Sequence, residues 1–126
     1  MVTLYERVGG VPFFEKLVDR FYDAVAADPI LLRVYPTPDD LSGARHRLML
    51  FLVQYWGGPT TYSDERGHPR LRMRHAPFAI GPIERDHWLQ AMRAAVDSLD
   101  PEPAVRLELE SYFDIAAEAM RNRDPS

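Results

Sequence analysis

Residues 66–78 read Arg66-Gly67-His68-Pro69-Arg70-Leu71-Arg72-Met73-Arg74-His75-Ala76-Pro77-Phe78. This run holds four arginines and two histidines, yet it lies in a chain whose formal net charge is −4. Such a concentration of positive charge indicates either an anionic partner or a basic face that pairs with acidic neighbours. A nucleic-acid partner is disfavoured, because no aromatic side chains alternate with the arginines and the chain as a whole is acidic.

His75 is the residue of this run with the clearest candidate chemistry. It stands near the end of a short stretch of helical periodicity, two residues before Pro77. Imidazole is a natural axial ligand for iron, and a hydrogen bond at its other ring nitrogen can orient it. A lone histidine is more often structural or exposed, so both interpretations stay open. His46, His68 and His87 have weaker claims, because they lie between two arginines, in a Gly-His-Pro turn and on a polar helix side.

The chain is predicted to be all-α, because no segment alternates apolar and polar residues with a period of two. Its 11 prolines fall between stretches of helical periodicity and predict where the helices begin and end. The apolar positions of the four predicted helices are Phe14, Leu17, Val18, Phe21, Tyr22 and Val25; Leu41, Ala44, Leu48, Phe51, Leu52 and Tyr55; Trp88, Met92, Ala95, Val96 and Leu99; and Val105, Leu109, Tyr112, Phe113, Ala116 and Met120. The irregular polar stretch 60–69 and the short helical piece 71–76 fit a simple bundle poorly, so we expect something to fill the space between the helices.

Length and composition predict one globular domain over residues 1–126, with 46% hydrophobic and 27% charged residues. The chain has no cysteine, which excludes a disulfide framework and a Cys-based zinc site. Its first residues lack the pattern of a signal peptide, and no apolar run approaches membrane-spanning length. We therefore expect a cytoplasmic protein without a membrane or nucleic-acid partner.

Two aromatic residues on apolar helix faces, Tyr22 and Trp88, carry a polar group that needs a partner once buried. Plain core packing explains most such residues. A tyrosine hydroxyl and an indole N–H in one pocket would instead suit a ligand that develops negative charge.

Six segments form a pattern that extends over nearly the whole chain. They are Tyr5-Glu6-Arg7-Val8-Gly9-Gly10, Arg20-Phe21-Tyr22, Val34-Tyr35-Pro36, Phe51-Leu52-Val53-Gln54-Tyr55-Trp56-Gly57-Gly58-Pro59, the run 67–78, and Glu84-Arg85-Asp86-His87-Trp88-Leu89. This pattern resembles the group II, or O-type, truncated haemoglobins, particularly those of actinobacteria, and the run 67–75 with the later Trp88 is its most specific part. The resemblance implies a truncated globin fold, a two-over-two helical sandwich around haem.

The resemblance also implies roles for individual residues around haem b. His75 becomes the proximal iron ligand, while Tyr22, Tyr35 and Trp88 become the distal polar cluster. The remaining expected distal residues are Ala44, at the position where many globins have a histidine, and Leu48 one turn further. The expected haem contacts are Phe21, Phe51, Leu52, Met73, Phe78 and Met92, with Arg47, Arg74 and Tyr62 as candidate partners of the propionates.

The expected function is the binding of oxygen, carbon monoxide or nitric oxide at the haem iron. Bound oxygen carries partial negative charge, so hydroxyl and indole donors slow its release. Slow release fits oxygen-linked redox, peroxidase-like or nitric oxide chemistry better than bulk oxygen transport. The electron-donating reductase is not identified by the sequence, and a homodimer is left open.

Two alternatives belong to other classes of protein. A cofactor-free helical interaction module would use the aromatic residues as ordinary core and the arginines as a salt-bridged face. A non-haem metal enzyme would use His68 and His75 with carboxylates, although no paired Asp or Glu stands at ligand spacing. Small departures from the family pattern are His46 and the longer turn at Thr37-Pro38, both expected near the distal entrance.

Overall fold

The computed structural model describes residues 2–123, and in that part of the chain every regular element is a helix. The helices are α1 (Leu4–Arg7), α2 (Val11–Ala26), α3 (Pro29–Leu32), α4 (Ser42–Tyr55), α5 (Thr61–Arg66), α6 (Leu71–His75), α7 (Pro82–Leu99) and α8 (Pro103–Met120). The all-α prediction is confirmed. Within residues 2–123, none of these helices is both long and apolar enough to cross a bilayer.

Prolines and short polar side chains mark where several helices begin. Pro12, Pro29, Pro82 and Pro103 each lie in a first helical turn, where the missing N–H costs no hydrogen bond. Asp28 caps α3, because its Oδ1 accepts the Ile30 amide at 2.9 Å. The sequence-predicted boundaries therefore have a local physical cause.

Four long helices make the sandwich. Helix α2 packs on both α4 and α7, and α7 packs on α8, which gives the expected two-over-two arrangement. The core between them contains the side chains Phe14, Leu17, Phe21, Leu52, Met92, Val96, Val105 and Leu109, all of them almost completely buried. The short helices α3, α5 and α6 lie along the side of this core and, with the long helices, enclose a cavity.

The stretch 60–69, expected to be irregular, contains helix α5. The physical reason is a contact from outside the stretch: the Gln54 side chain bonds Ser63 twice, with Nε2 donating to Oγ at 2.7 Å and Oε1 accepting the backbone amide at 3.0 Å. These bonds satisfy the first turn of a helix whose own N-cap makes no side-chain bond. The composition of residues 60–69 does not indicate that a side chain from α4 would bond to them.

The buried faces of two helices, α4 and α8, also differ in detail from the sequence prediction. Tyr55 was expected to face the core but is 52% exposed, and its ring lies 4.2 Å from the Tyr112 ring. On α8 the fully buried residues are Val105, Leu109, Phe113 and Ala117, whereas Tyr112, Ala116 and Met120 are half-buried and line the cavity. The inner face of α8 is thus shared between the packed core, at Val105 and Leu109, and the cavity wall, which Phe113 and Ala117 also line.

Candidate functional site

A cavity of about 470 Å³ lies between the sandwich and the short helices. Its volume falls in the range of roughly 300–1,000 Å³ that is usual for cofactor and small-molecule sites. The predicted site residues that line it are Tyr22, Tyr35, Ala44, Arg47, Leu48, Phe51, Leu52, Tyr62, Arg74, His75, Phe78 and Trp88. Residues that are far apart in the sequence thus meet in one place.

His75 reaches the cavity from the last turn of α6. Its Nδ1 lies 2.6 Å from the Leu71 carbonyl oxygen. Because a carbonyl oxygen only accepts, the neutral tautomer that fits this contact carries its proton on Nδ1 and its lone pair on Nε2. A hydrogen bond at one ring nitrogen that fixes the tautomer and orientation of the other is the arrangement usual for metal-binding histidines.

The polar aromatic cluster Tyr22, Tyr35 and Trp88 comes from α2, the loop after α3, and α7. The ring centroids of Tyr22 and Tyr35 are 5.8 Å apart, and the Phe21 ring lies edge-on to Tyr22 at 5.0 Å and to Trp88 at 5.2 Å. Phe21 itself is fully buried and does not line the cavity. It therefore supports the cluster from behind.

Burial raises the pKa of both tyrosines in this cluster. For Tyr22 the desolvation of the hydroxyl dominates, and hydrogen bonding to Tyr35 together with the positive charges of Arg47 and Arg45 opposes it. The pKa of Tyr35 is raised well above its usual value, again chiefly by burial. Both hydroxyls are consequently neutral at physiological pH and able to donate hydrogen bonds.

The arginines of the site differ in what their guanidinium groups contact. Arg74 is occupied within its own loop, since it donates to the carbonyl oxygens of Pro69 (2.6 Å) and Arg66 (2.9 Å). Arg47 and Arg66 also line the cavity, and neither makes an ion pair with any carboxylate of residues 2–123. Sequence reasoning singled out Arg47 and Arg74 but not Arg66, because the loop carbonyls that engage Arg74 are visible only in the fold.

Three expected haem contacts lie away from the cavity wall. Phe21 and Met92 are fully buried in the core, and Met73 is 60% exposed. Within the five-residue helix α6, positions 71, 74 and 75 line the cavity, so position 73 points outward. Tyr62 lines the cavity and is itself buried, with its ring 5.6 Å from that of Phe51.

The structure adds cavity residues that sequence reasoning missed. They are Leu31, Val34, Pro36, Arg66, Leu71, Ile80, Glu84, Arg85, Tyr112, Phe113, Ala116, Ala117 and Met120. Helix α8 contributes several of them, and its helical periodicity indicated an inward face without separating core from cavity. Burial raises the pKa of Tyr112 to about 12, so this further tyrosine of the wall is also neutral.

The other histidines are engaged elsewhere. His68 Nδ1 accepts the Arg70 amide at 3.1 Å. His87 Nδ1 lies 2.7 Å from an Asp28 carboxylate oxygen, and His46 Nε2 lies 3.6 Å from a Glu65 carboxylate oxygen. Among residues 2–123, no three His, Asp or Glu side chains are grouped as a metal site. The geometry gives no support to the non-haem alternative built on His68 and His75.

The cavity residues fit haem in three respects. One imidazole presents a free Nε2, the apolar side chains Ala44, Leu48, Phe51 and Leu52 suit a porphyrin face, and two cavity arginines are available for carboxylates. Apolar side chains make up most of the wall, as in other cofactor pockets.

Comparison with known proteins gives the family. The family model described as "Bacterial-like globin" matches residues 3–122. The Group 2 truncated hemoglobin YjbI of Bacillus subtilis is 39% identical over 119 residues, which cover 94% of this chain and 88% of that relative.

Two solved structures are similar over almost the whole chain. The thermostable hemoglobin of the actinobacterium Thermobifida fusca is 56% identical, with a TM-score of 0.93 and coverage of 96% of this chain and 98% of the other. The group II truncated hemoglobin of Bacillus anthracis is 36% identical, with a TM-score of 0.94 and coverage of 100% and 95%. The chain belongs to the bacterial-like globin family, and within it to the group II truncated haemoglobins.

Proposed function

We propose that this protein binds haem b through His75 and retains diatomic ligands beneath Tyr22, Tyr35 and Trp88. Membership of the globin family implies a haem cofactor and binding of small diatomic ligands such as oxygen. The observation that carries the assignment of the ligand is the 2.6 Å contact between His75 Nδ1 and the Leu71 carbonyl oxygen. It leaves Nε2 as the free imidazole nitrogen at the cavity.

Haem, when bound, supplies an iron that takes oxygen, carbon monoxide or nitric oxide as a ligand and exchanges electrons. The protein supplies the surroundings. Tyr22, Tyr35 and Trp88 offer neutral O–H and N–H donors to the outer atom of such a ligand, where negative charge accumulates. The apolar wall excludes water, which strengthens those hydrogen bonds.

The propionates of haem are assigned to Arg47 and Arg66. Both line the cavity without a carboxylate partner in the described chain, and guanidinium groups bind carboxylates with two parallel hydrogen bonds. Arg74, whose guanidinium already donates to the carbonyl oxygens of Arg66, His68 and Pro69, is assigned the role of holding the segment before α6 in place.

Three donors around one ligand favour retention over delivery. If each hydrogen bond to a partly charged ligand contributes about 1.5–3 kcal/mol, two of them slow release by more than two orders of magnitude. We infer a role in oxygen-linked redox chemistry, or in reaction with nitric oxide or peroxide, with a reductase as electron donor. A cytoplasmic location and the possible homodimer stay predictions.

Absorption spectra of the purified protein, with and without dithionite and carbon monoxide, test haem binding. The substitution His75→Gly should remove the proximal ligand, and added imidazole should restore the wild-type ferrous spectrum. His68→Ala is the matched control, because His68 belongs to the same run and its Nδ1 accepts the Arg70 amide of its own loop; it should leave the spectrum unchanged. A wild-type ferrous spectrum in His75→Gly without imidazole contradicts the assignment.

A further inference from the structure

Asn122, two residues after the end of α8, makes a cluster of hydrogen bonds with the segment that follows α6. Its Nδ2 donates to the carbonyl oxygens of His75 (3.2 Å) and Phe78 (2.8 Å), and its Oδ1 accepts the Ile80 amide at 2.9 Å. Its backbone amide donates to the Ile80 carbonyl oxygen at 2.8 Å, and the Arg123 amide donates to the same oxygen at 3.0 Å. The chain after α8 is thereby tied to the segment that carries the candidate iron ligand.

Apart from the hydrogen bonds that Arg74 donates to the segment before it, helix α6 has little of its own to hold it in place. It has five residues, no side-chain hydrogen bond at its N-cap and no fully buried residue. Its N-cap, Arg70, has φ 44°, in the left-handed region that is unfavourable for a residue other than glycine. Helices this short are unstable in isolation, so contacts from elsewhere must fix α6.

Helix α8 is the rigid neighbour that can do so. Val105, Leu109 and Phe113 anchor it in the core, with at most 3% of each side chain exposed. Asn122 lies at the end of this anchored helix and reaches the carbonyl oxygen of His75 itself. The cluster connects a firmly packed helix to a weakly held one.

The chemistry of the cluster requires an amide. Two carbonyl oxygens accept from Asn122 and one backbone amide donates to it, which sets the orientation of its side chain without ambiguity. An aspartate at this position has no donor when ionised and would place its charge against the carbonyl oxygens of His75 and Phe78.

We propose that Asn122 is a positioning residue for the His75 imidazole. Asn122 does not line the cavity, so it acts through the backbone that carries the ring. The bond from His75 Nδ1 to the Leu71 carbonyl sets the rotation of the ring, and the Asn122 cluster sets where its backbone lies. The proposal rests on the ligation of iron by His75, because the position of Nε2 matters only if it binds the metal.

The test compares Asn122→Asp and Asn122→Ala with Arg121→Ala in the haem-loaded protein. Arg121 is the matched control, because it neighbours Asn122 but, within residues 2–123, its side chain hydrogen-bonds Glu118 and not the segment after α6. One measurement is the iron–histidine stretching band in the resonance Raman spectrum of the ferrous protein. The other is the hydrogen-exchange rate of the Ile80 amide.

We expect both Asn122 variants to shift or broaden the iron–histidine band, because both lose the two hydrogen bonds that Nδ2 donates. Asn122→Ala also loses the acceptor of the Ile80 amide and should speed exchange there by about tenfold or more, whereas Asn122→Asp keeps an acceptor oxygen for that amide. Arg121→Ala should change neither measurement. If Asn122→Asp does not accumulate, Asn122→Ala carries the test, because it deletes the bonds without adding charge.

The outcomes separate this proposal from the proposed function. If the wild-type protein shows an iron–histidine band that survives unchanged in both Asn122 variants, the positioning role is refuted while ligation by His75 stands, even if exchange at Ile80 becomes faster. If the wild-type protein shows no such band, ligation by His75 and the positioning role both fail.

Discussion

The substitution Trp88→Phe isolates the indole donor of the polar aromatic cluster. The Trp88 ring lies 5.2 Å from Phe21 and 5.7 Å from Phe113, both in edge-on contact. A phenylalanine ring keeps most of this contact and loses the N–H. The change therefore probes the hydrogen bond more than the packing.

The expected magnitude follows from the energy of one hydrogen bond to a partly charged ligand. Such a bond contributes about 1.5–3 kcal/mol, so Trp88→Phe should raise the oxygen dissociation rate roughly 10- to 150-fold. The association rate should change much less, because the donor acts on the bound ligand. Stopped-flow displacement of oxygen by carbon monoxide measures the dissociation rate directly.

Trp56→Phe is the matched control for this measurement. Trp56 is buried, stacks on Phe14 at 6.1 Å and does not line the cavity. The same change of side chain there should affect stability but leave oxygen dissociation near the wild-type rate.

A double-mutant cycle with Tyr22→Phe tests whether the cluster acts as one network. The pKa of Tyr35 responds to both Tyr22 and Trp88, so Tyr35 is coupled to both donors. The effects of the two substitutions should consequently differ from additivity by roughly 0.5–3 kcal/mol. An unchanged dissociation rate in Trp88→Phe would refute the reasoning, because the indole would then be packing alone.

Three further predictions concern the cofactor, pH and the backbone. The double substitution Arg47→Ala and Arg66→Ala should accelerate haem transfer to apomyoglobin, because each exposed pair lost weakens the binding of haem by about 1 kcal/mol. An unchanged transfer rate would mean that other groups bind the propionates. A hydrogen bond from His87 is the chief cause of the lowered pKa of Asp28 in the fold. The ionised Asp28 therefore stabilises the fold fully above its unfolded pKa of about 4, and this stabilisation is lost as the pH falls through the lower folded pKa. Asp28→Asn should thus lower the urea midpoint at pH 7, and the midpoint of the variant should decrease less than that of the wild type between pH 7 and pH 3. An equally steep decrease in the variant would contradict this. Gly57→Ala should destabilise the protein by more than the roughly 1–2 kcal/mol of its left-handed backbone, because the new Cβ would lie 2.7 Å from the Thr3 side chain. Gly67→Ala, also at positive φ but in open space, should show the backbone cost alone in the same urea titration.

The parts of the fold that depend on local sequence were predictable, and the parts that depend on contacts with another element were not. The four long helices were predictable because each repeats its apolar residues with a helical period, and the prolines that begin them act locally. Helix α5 was not, because the side chain that satisfies its first turn is Gln54, on the preceding helix. Periodicity also cannot distinguish core from cavity, since both present an inward apolar face, as Tyr112 and Met120 illustrate.

The residues of the candidate site were likewise predictable only in part. By itself the sequence determined the class of fold, the family pattern and the candidate residues His75, Tyr22, Tyr35 and Trp88, because these depend on residue type at fixed spacing. The tertiary structure alone decided that Arg74 is engaged by loop carbonyls, that Arg66 joins Arg47 and Arg74 in the cavity wall, and that Met73 points outward. It alone revealed Asn122 against the carbonyl of His75. Hydrogen bonds of this kind join residues 47 positions apart, and no local pattern records them because the folded backbone creates the contact.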